Sequence, residues 1–215
     1  MADRSKAVEI EAFLLELPTL TIGATFNQFR DKGPDDVPDA PAIRLANLRH
    51  YLEERPEADV FAVGEAAGYQ GMRWSGIAFT SEFDLLERWR GGPYRRSSLR
   101  DRLWKEPSGT IVHGLLEQLG AERRVILWNI VPTHPRDDDR DLSNRHPSQV
   151  EIRQGIPYAE RLIAIVQPKQ LIAIGRVAER ALADHKPHPV RHPAQSGATA
   201  FRAGMRALLR PPAGG

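Results

Sequence analysis

The sequence predicts an α/β fold: three α/β/α layers around a short parallel sheet of about four strands. Two observations carry this. Short apolar runs recur without polar alternation, as in strands covered on both faces. Stretches with helical spacing and capping signals separate those runs.

The elements follow in order. Residues 8–16, with Val8, Ile10, Phe13 and Leu14, form a short helix. A Pro/Asp-rich loop runs from Asp31 to Asp39, and Asp39 is placed to cap a helix reaching Glu54. Asp59-Val60-Phe61-Ala62-Val63 is a strand that ends at Gly64. Ser81-Glu82-Phe83-Asp84 has the form of a capping box, and residues 108–119 are a helix closed by Gly120. Arg124–Trp128 is the second strand. Ser148-Gln149-Val150-Glu151 is another capping box, opening a helix that Gly155 and Pro157 can interrupt. Gln170–Gly175 is the third strand, with a helix at 176–184. Pro189-Val190-Arg191 is a brief fourth strand, and residues 199–209 are the last helix.

The 215 residues suit one domain, with residues 1–58 as a helical segment packed on it and 211–215 as a flexible tail. The absence of cysteine excludes disulfides, thiolate nucleophiles and cysteine-ligated clusters. The start lacks a signal-peptide core, and no apolar run is long enough to span a bilayer. A soluble, cytoplasmic, monomeric protein that does not bind membranes is expected. Of the 30 basic residues, 25 are Arg. Between Arg88 and Lys105, seven basic residues (Arg95 and Arg96 among them) face one acid, Asp101, and interleave with Trp89, Tyr94 and Trp104. Such a stretch can hold a nucleic-acid backbone, or it can be a solvated loop.

In parallel sheets, ligands bind outside the carboxyl ends of the strands. That rule gathers Gly64–Tyr69, Asn129–His134, Gly175–Arg176 and His192–Gly197. Gly64-Glu65-Ala66-Ala67-Gly68 is a small-residue turn carrying one carboxylate, with neither a Walker nor a dinucleotide pattern. Asn129 is an amide that can read a donor–acceptor edge or simply form a turn. His192 can donate to a developing anion or be an ordinary loop histidine. The acidic run Asp137–Asp141, near His134 and His146, can hold a divalent cation for phosphodiester cleavage or be a solvated loop. His185 and His188 lack further ligands at metal-binding spacing, so no metal site is assigned.

Taken in order from about Phe61 to about Leu208, these pieces resemble the uracil-DNA glycosylase superfamily. Gly64–Gly68 resembles the loop that places the hydrolytic water. Gly71-Met72-Arg73-Trp74-Ser75-Gly76-Ile77-Ala78-Phe79 resembles the segment whose Phe stacks on the extruded base, and its Gly-Met opening is like that of the single-strand-selective monofunctional enzymes. Asn129 matches the base-reading Asn. Asn144-Arg145-His146-Pro147 resembles a loop of the thermophilic iron–sulphur members, and His192-Pro193 opens the last motif.

The resemblance implies a monofunctional, cofactor-free glycosylase. Its DNA substrate, single- or double-stranded, would carry uracil or related deaminated or 5-modified bases. Glu65 and His192 would be catalytic, with Gly64, Ala66, Gly68, Tyr69, Phe79 and Asn129 around the base. Gly71, Met72, Ser75, Arg191, Pro193, Ser196 and Gly197 would meet DNA, joined by Arg95 and Arg96 on the ground of their charge. The chain departs from the family in four places. It lacks the cluster cysteines. Ala66 stands where many relatives have Asp or Asn, with the carboxylate one place earlier at Glu65. Ala67 replaces a usual Pro, and Ala194 a common Ser. The alternatives are a metal-dependent nuclease or phosphohydrolase built on residues 134–146, and a non-catalytic nucleic-acid-binding module.

Overall fold

The computed structural model describes residues 2–137 and 139–209, so the expected tail at 211–215 lies outside the described residues. Four parallel strands form one sheet: β1 Val60–Ala66, β2 Val125–Val131, β3 Gln170–Ile174 and β4 His188–Val190, in the order β2-β1-β3-β4. The helices are α1 Ala2–Glu16, α2 Ala40–Glu53, α3 Met72–Ser75, α4 Pro107–Gln118, α5 Gln149–Val166, α6 Arg176–Ala181 and α7 Ala198–Leu209. From β1 the chain steps one way to β2, then crosses back to β3 and β4. Right-handed crossovers therefore put α4 on one face and α5 and α6 on the other. The reversal beside β1 opens a crevice at the carboxyl ends of β1 and β3.

β1 and β2 run two or three residues beyond the apolar segments that predict them. Glu65 and Asn129 therefore stand on strands rather than in turns. Asn129 sits within β2, its amide directed toward Gly64 and Met72. Side chains alternate across β2. Trp128 packs edge-on against Phe13 of α1 at 5.6 Å, while Asn129 faces the opposite layer and Met72.

The free edge of β2 is covered by α2. The Tyr51 hydroxyl accepts from Leu127 N–H at 2.9 Å and donates to the Val125 carbonyl at 3.3 Å. That satisfies backbone groups an edge strand would otherwise leave open.

Three local expectations change. Asp39 makes no side-chain cap; α2 starts instead with Pro41 in its first turn, where the missing N–H has no cost. At Ser81–Asp84 the Asp84 carboxylate accepts from both the Ser81 N–H and its hydroxyl, and a single π-helical turn, Asp84–Arg88, follows. α5 continues unbroken through Gly155 and Pro157, held by the complete Ser148–Glu151 capping box. Gly155 serves packing, since a Cβ there would lie 3.0 Å from the Ile130 carbonyl carbon on β2.

The loop before α2 is tied to α3 by buried charge. Asp36 accepts from Arg73 at 3.0 and 3.1 Å and also pairs with Arg44. Three charges this deep are tolerable only because they pair with one another. They fix the segment that carries Met72 to Phe79. Among the described residues no helix is long and apolar enough to cross a membrane.

Candidate active site

A cleft of about 510 Å³ opens at the carboxyl ends of β1 and β3. It is lined by the β1 end (Glu65–Gly68), Glu106 and Ser108 before and in α4, Asn144–His146, Ile174–Val177, and Arg191, His192, Ala194 and Gln195.

Three predicted residues, Gly64, Asn129 and Phe79, pack together, and His192, which lines the cleft, stands beside Phe79. Gly64 and Asn129 are register partners on adjacent strands. A Cβ on Gly64 would lie 2.6 Å from Cε2 of Phe79 and 2.7 Å from Oδ1 of Asn129, so only glycine leaves both side chains room. Phe79 is buried and has a left-handed backbone, φ +53°. A bulky residue held in that region stores strain, which is characteristic of functional positions. Its ring centre lies 5.9 Å from that of His192, with the planes inclined at 37°. Asn129 is buried and donates from Nδ2 to Met72 Sδ at 3.4 Å, a weak partner that a better acceptor can displace.

His192 sits in a tight loop after β4. Its Nδ1 accepts from the Ala194 N–H at 3.1 Å, which assigns the ring proton to Nε2. Burial holds the imidazole below its ordinary value; Glu65 opposes this and Arg191 adds to it. The ring is therefore a neutral donor at pH 7. Gln195 and Ser196 are both left-handed, at φ +51° and +63°. Gly197 closes the turn, since a Cβ there would lie 2.9 Å from the Ala194 carbonyl oxygen.

Glu65 is partly exposed, and its Oε1 lies 2.8 Å from Nδ1 of His146. The loop carrying His146 is anchored three times. Asn144 Oδ1 accepts from Tyr69 N–H at 2.9 Å. Arg145 forks onto Glu151 at 2.7 and 2.8 Å. The buried His134 bonds to the Ser143 carbonyl at 2.8 Å. Hydrogen bonds from Arg145 outweigh the burial of Glu151 and hold its carboxyl down to about 2.

The other predicted residues are spread more widely. Ala66, Gly68 and Arg191 line the cleft, and Arg191 is exposed. Tyr69 is partly exposed, with its ring edge-on to Trp104 at 5.9 Å. Gly71, Met72, Pro193 and Gly197 are buried, whereas Ser196 is exposed. Ser75 is fully buried and its hydroxyl bonds the Ile77 backbone, so it stands in the interior. Arg95 pairs with Asp39 at 3.3 Å beside α2, and Arg96 folds back on the Ser98 carbonyl at 3.0 Å. Further along the basic stretch, Arg100 lies 4.1 Å over Trp104 and Lys105 4.2 Å over Phe83.

The acidic run is engaged by its own arginines: Asp137 pairs with Arg140, and Asp141 with Arg136. Among the described residues no group of three or more His, Asp or Glu is placed to hold a metal ion.

Two site residues carry no motif signal of their own as site groups. His146 is visible in the sequence only within its loop. Glu106 is not visible at all; burial, reinforced by Asp84, pushes its carboxyl up to about 8.

The family model described as the Uracil DNA glycosylase superfamily matches residues 53–209. A crystal structure of wild-type SMUG2 from Pedobacter heparinus superposes with a TM-score of 0.66 at 14% identity, covering 94% of this chain and 97% of that one. No curated protein matches the sequence.

Proposed function

Because this chain belongs to the Uracil DNA glycosylase superfamily, we propose that it is a monofunctional DNA glycosylase. It hydrolyses the N-glycosidic bond of uracil in DNA and also accepts some other deaminated or 5-modified bases. The observation that carries this reading is the packing of Phe79 and Asn129 on Gly64, with His192 of the cleft lining beside the Phe79 ring.

The chemistry follows from those groups. A base inside a duplex must first leave the stack, which costs about a few kcal/mol. Phe79 offers a replacement stacking face. The Asn129 amide accepts from uracil N3–H and donates to O4, whereas cytosine presents the reverse pattern. As the C1′–N1 bond breaks, its electron pair moves onto the base and spreads to O2. Neutral His192 donates its Nε2 proton as a hydrogen bond to that oxygen, a preorganised stabilisation of developing charge. Glu65, steadied by His146, orients water and takes its proton as the oxygen attacks the sugar carbon. The carboxylate also opposes the positive charge growing on the sugar. The cleft lining contains no lysine, in keeping with hydrolysis rather than Schiff-base chemistry.

The test is release of free base from a uracil-containing oligonucleotide, with strand scission scored separately. Intact strands bearing abasic sites are expected. Strand cleavage that requires a divalent cation would support the nuclease alternative instead.

A further inference from the structure

A phenylalanine persists in the left-handed region only where its surroundings over-determine it. Gly64 and His192 are neighbours of the Phe79 ring, while its backbone, at φ +53°, is held from α4. A Cβ on Gly109 would lie 3.1 Å from the Phe79 carbonyl carbon, so the helix is cut back to a notch against which that carbonyl sits. One turn further along α4, His113 reaches the same peptide. Its imidazole hydrogen-bonds the Phe79 carbonyl, and its Nε2 lies 2.9 Å from Thr80 Oγ1. The Thr80 hydroxyl in turn donates to the Ala78 carbonyl at 3.0 Å, tying the turn to itself.

His113 is buried and outside the cleft lining, so it does not meet DNA itself. Its ring stands edge-on to Trp89, with centres 5.1 Å apart and planes at 84°. Burial holds the imidazole below its ordinary range against the opposing Asp84 charge, so the ring is neutral at pH 7. A polar ring in the interior costs stability unless its hydrogen bonds are made. Here they are made on residues 79 and 80, the first of which is the strained one.

We propose that His113, acting with the notch at Gly109, is a positioning residue that sets the Phe79 peptide so that the ring presents its stacking face to the extruded base. This rests on the glycosylase reading above. Without the imidazole, the Phe79 carbonyl and the Thr80 hydroxyl lose a buried partner. The peptide is then free to relax out of the left-handed region and turn the ring away from Gly64 and His192.

The experiment is single-turnover release of uracil, per folded protein, by the unsubstituted protein, His113→Leu, His113→Gln, Phe79→Ala and the double variant Phe79→Ala/His113→Leu. A residue that acts through Phe79 loses its effect once the ring is gone, whereas one that merely supports the fold acts in either background. His113→Leu is expected to lower the rate about tenfold or more when Phe79 is present, as misplacement of a positioning group does. Added to Phe79→Ala it should cost less than about twofold. His113→Gln, which keeps a donor and an acceptor, should recover most of the rate. Thr80→Val removes the hydroxyl that meets His113 with little change of shape. It should show the same dependence on Phe79, and it decides the matter if His113→Leu does not fold. Losses equal in both backgrounds, no loss in His113→Leu, or His113→Gln as slow as His113→Leu overturns the assignment and leaves the glycosylase reading standing. Failure of the unsubstituted protein to release uracil removes that reading and this inference together.

Discussion

Nδ1 of His146 lies 2.8 Å from Oε1 of Glu65, joining the end of β1 to a loop 81 residues further along the chain. The carboxylate is thereby held over the mouth of the cleft. Glu65→Gln is expected to lower single-turnover base release by about 10²-fold or more while leaving binding to uracil-containing DNA nearly intact. His146→Ala should lower the rate by less, because it loosens the carboxylate without removing it. Equal, near-normal rates in both variants would take the pair out of the mechanism.

Gly64→Ala tests the convergence of the base pocket. The added methyl group cannot coexist with the Phe79 ring and Asn129 Oδ1 as they stand. Displacement of about 1 Å at a reacting centre costs on the order of 10²-fold in rate. That loss should appear in base release, with the circular dichroism spectrum of the fold preserved.

His192→Ala removes one donor to the leaving base, with an expected loss of about 10²–10³ in rate. The pH dependence has a defined sign. Because the folded imidazole is held below its ordinary value, the folded state favours the neutral form. That stability is fully present above the unfolded value and is lost as pH falls through the lower folded one. The neutral ring also keeps the Ala194 N–H bonded. Activity should therefore hold at neutral pH and decline only in acid, below the ordinary imidazole range. A decline centred at or above neutrality that disappears in His192→Ala would contradict this.

Glu151 anchors the same loop through Arg145. Its carboxyl is held down to about 2 and is almost wholly buried. The sign is that of a depressed acid: the contribution is present above the unfolded value and lost as pH falls toward 2. Glu151→Gln should cost about 2–3 kcal/mol at neutral pH, and its destabilisation should shrink in acid. Chemical denaturation at several pH values measures both.

The basic stretch is tested by salt. Each phosphate contact contributes about 0.9 to the slope of log affinity against log salt on duplex DNA. Arg95→Ala with Arg96→Ala should flatten that slope on every sequence, and so should Arg191→Ala at the cleft. An unchanged slope in the Arg95/Arg96 variant, set against a flatter one for Arg191→Ala, would mean that the face beside α2 stays clear of DNA.

The sheet and its order of elements were legible because apolar runs and capping signals are local. Ser148 and Glu151 form the capping box their spacing predicts, and strand ends alone gathered Gly64, Asn129 and His192. What the sequence hid depends on tertiary placement. Asp39 has the right side chain for a cap but spends it on Arg95. Pro157 reads as a breaker, yet packing of α5 on β2 carries the helix past it. Glu65 reads as a turn residue because the ladder to β2 extends past the apolar run, up to the Ala66–Val131 pairing. Glu106 has no motif, and its enclosed carboxyl emerges only when Gly68, Gly71 and Gly109 are seen around it. Ser75 illustrates the reverse: a polar residue inside a DNA-binding motif whose hydroxyl is consumed by its own turn.

The most direct test of the central claim is single-turnover release of free uracil from a uracil-containing oligonucleotide in the presence of EDTA. The account predicts release that survives chelation, leaves the strand uncut, and falls sharply in both Glu65→Gln and His192→Ala. No release of base by the unsubstituted protein, or strand cleavage abolished by EDTA, would contradict it.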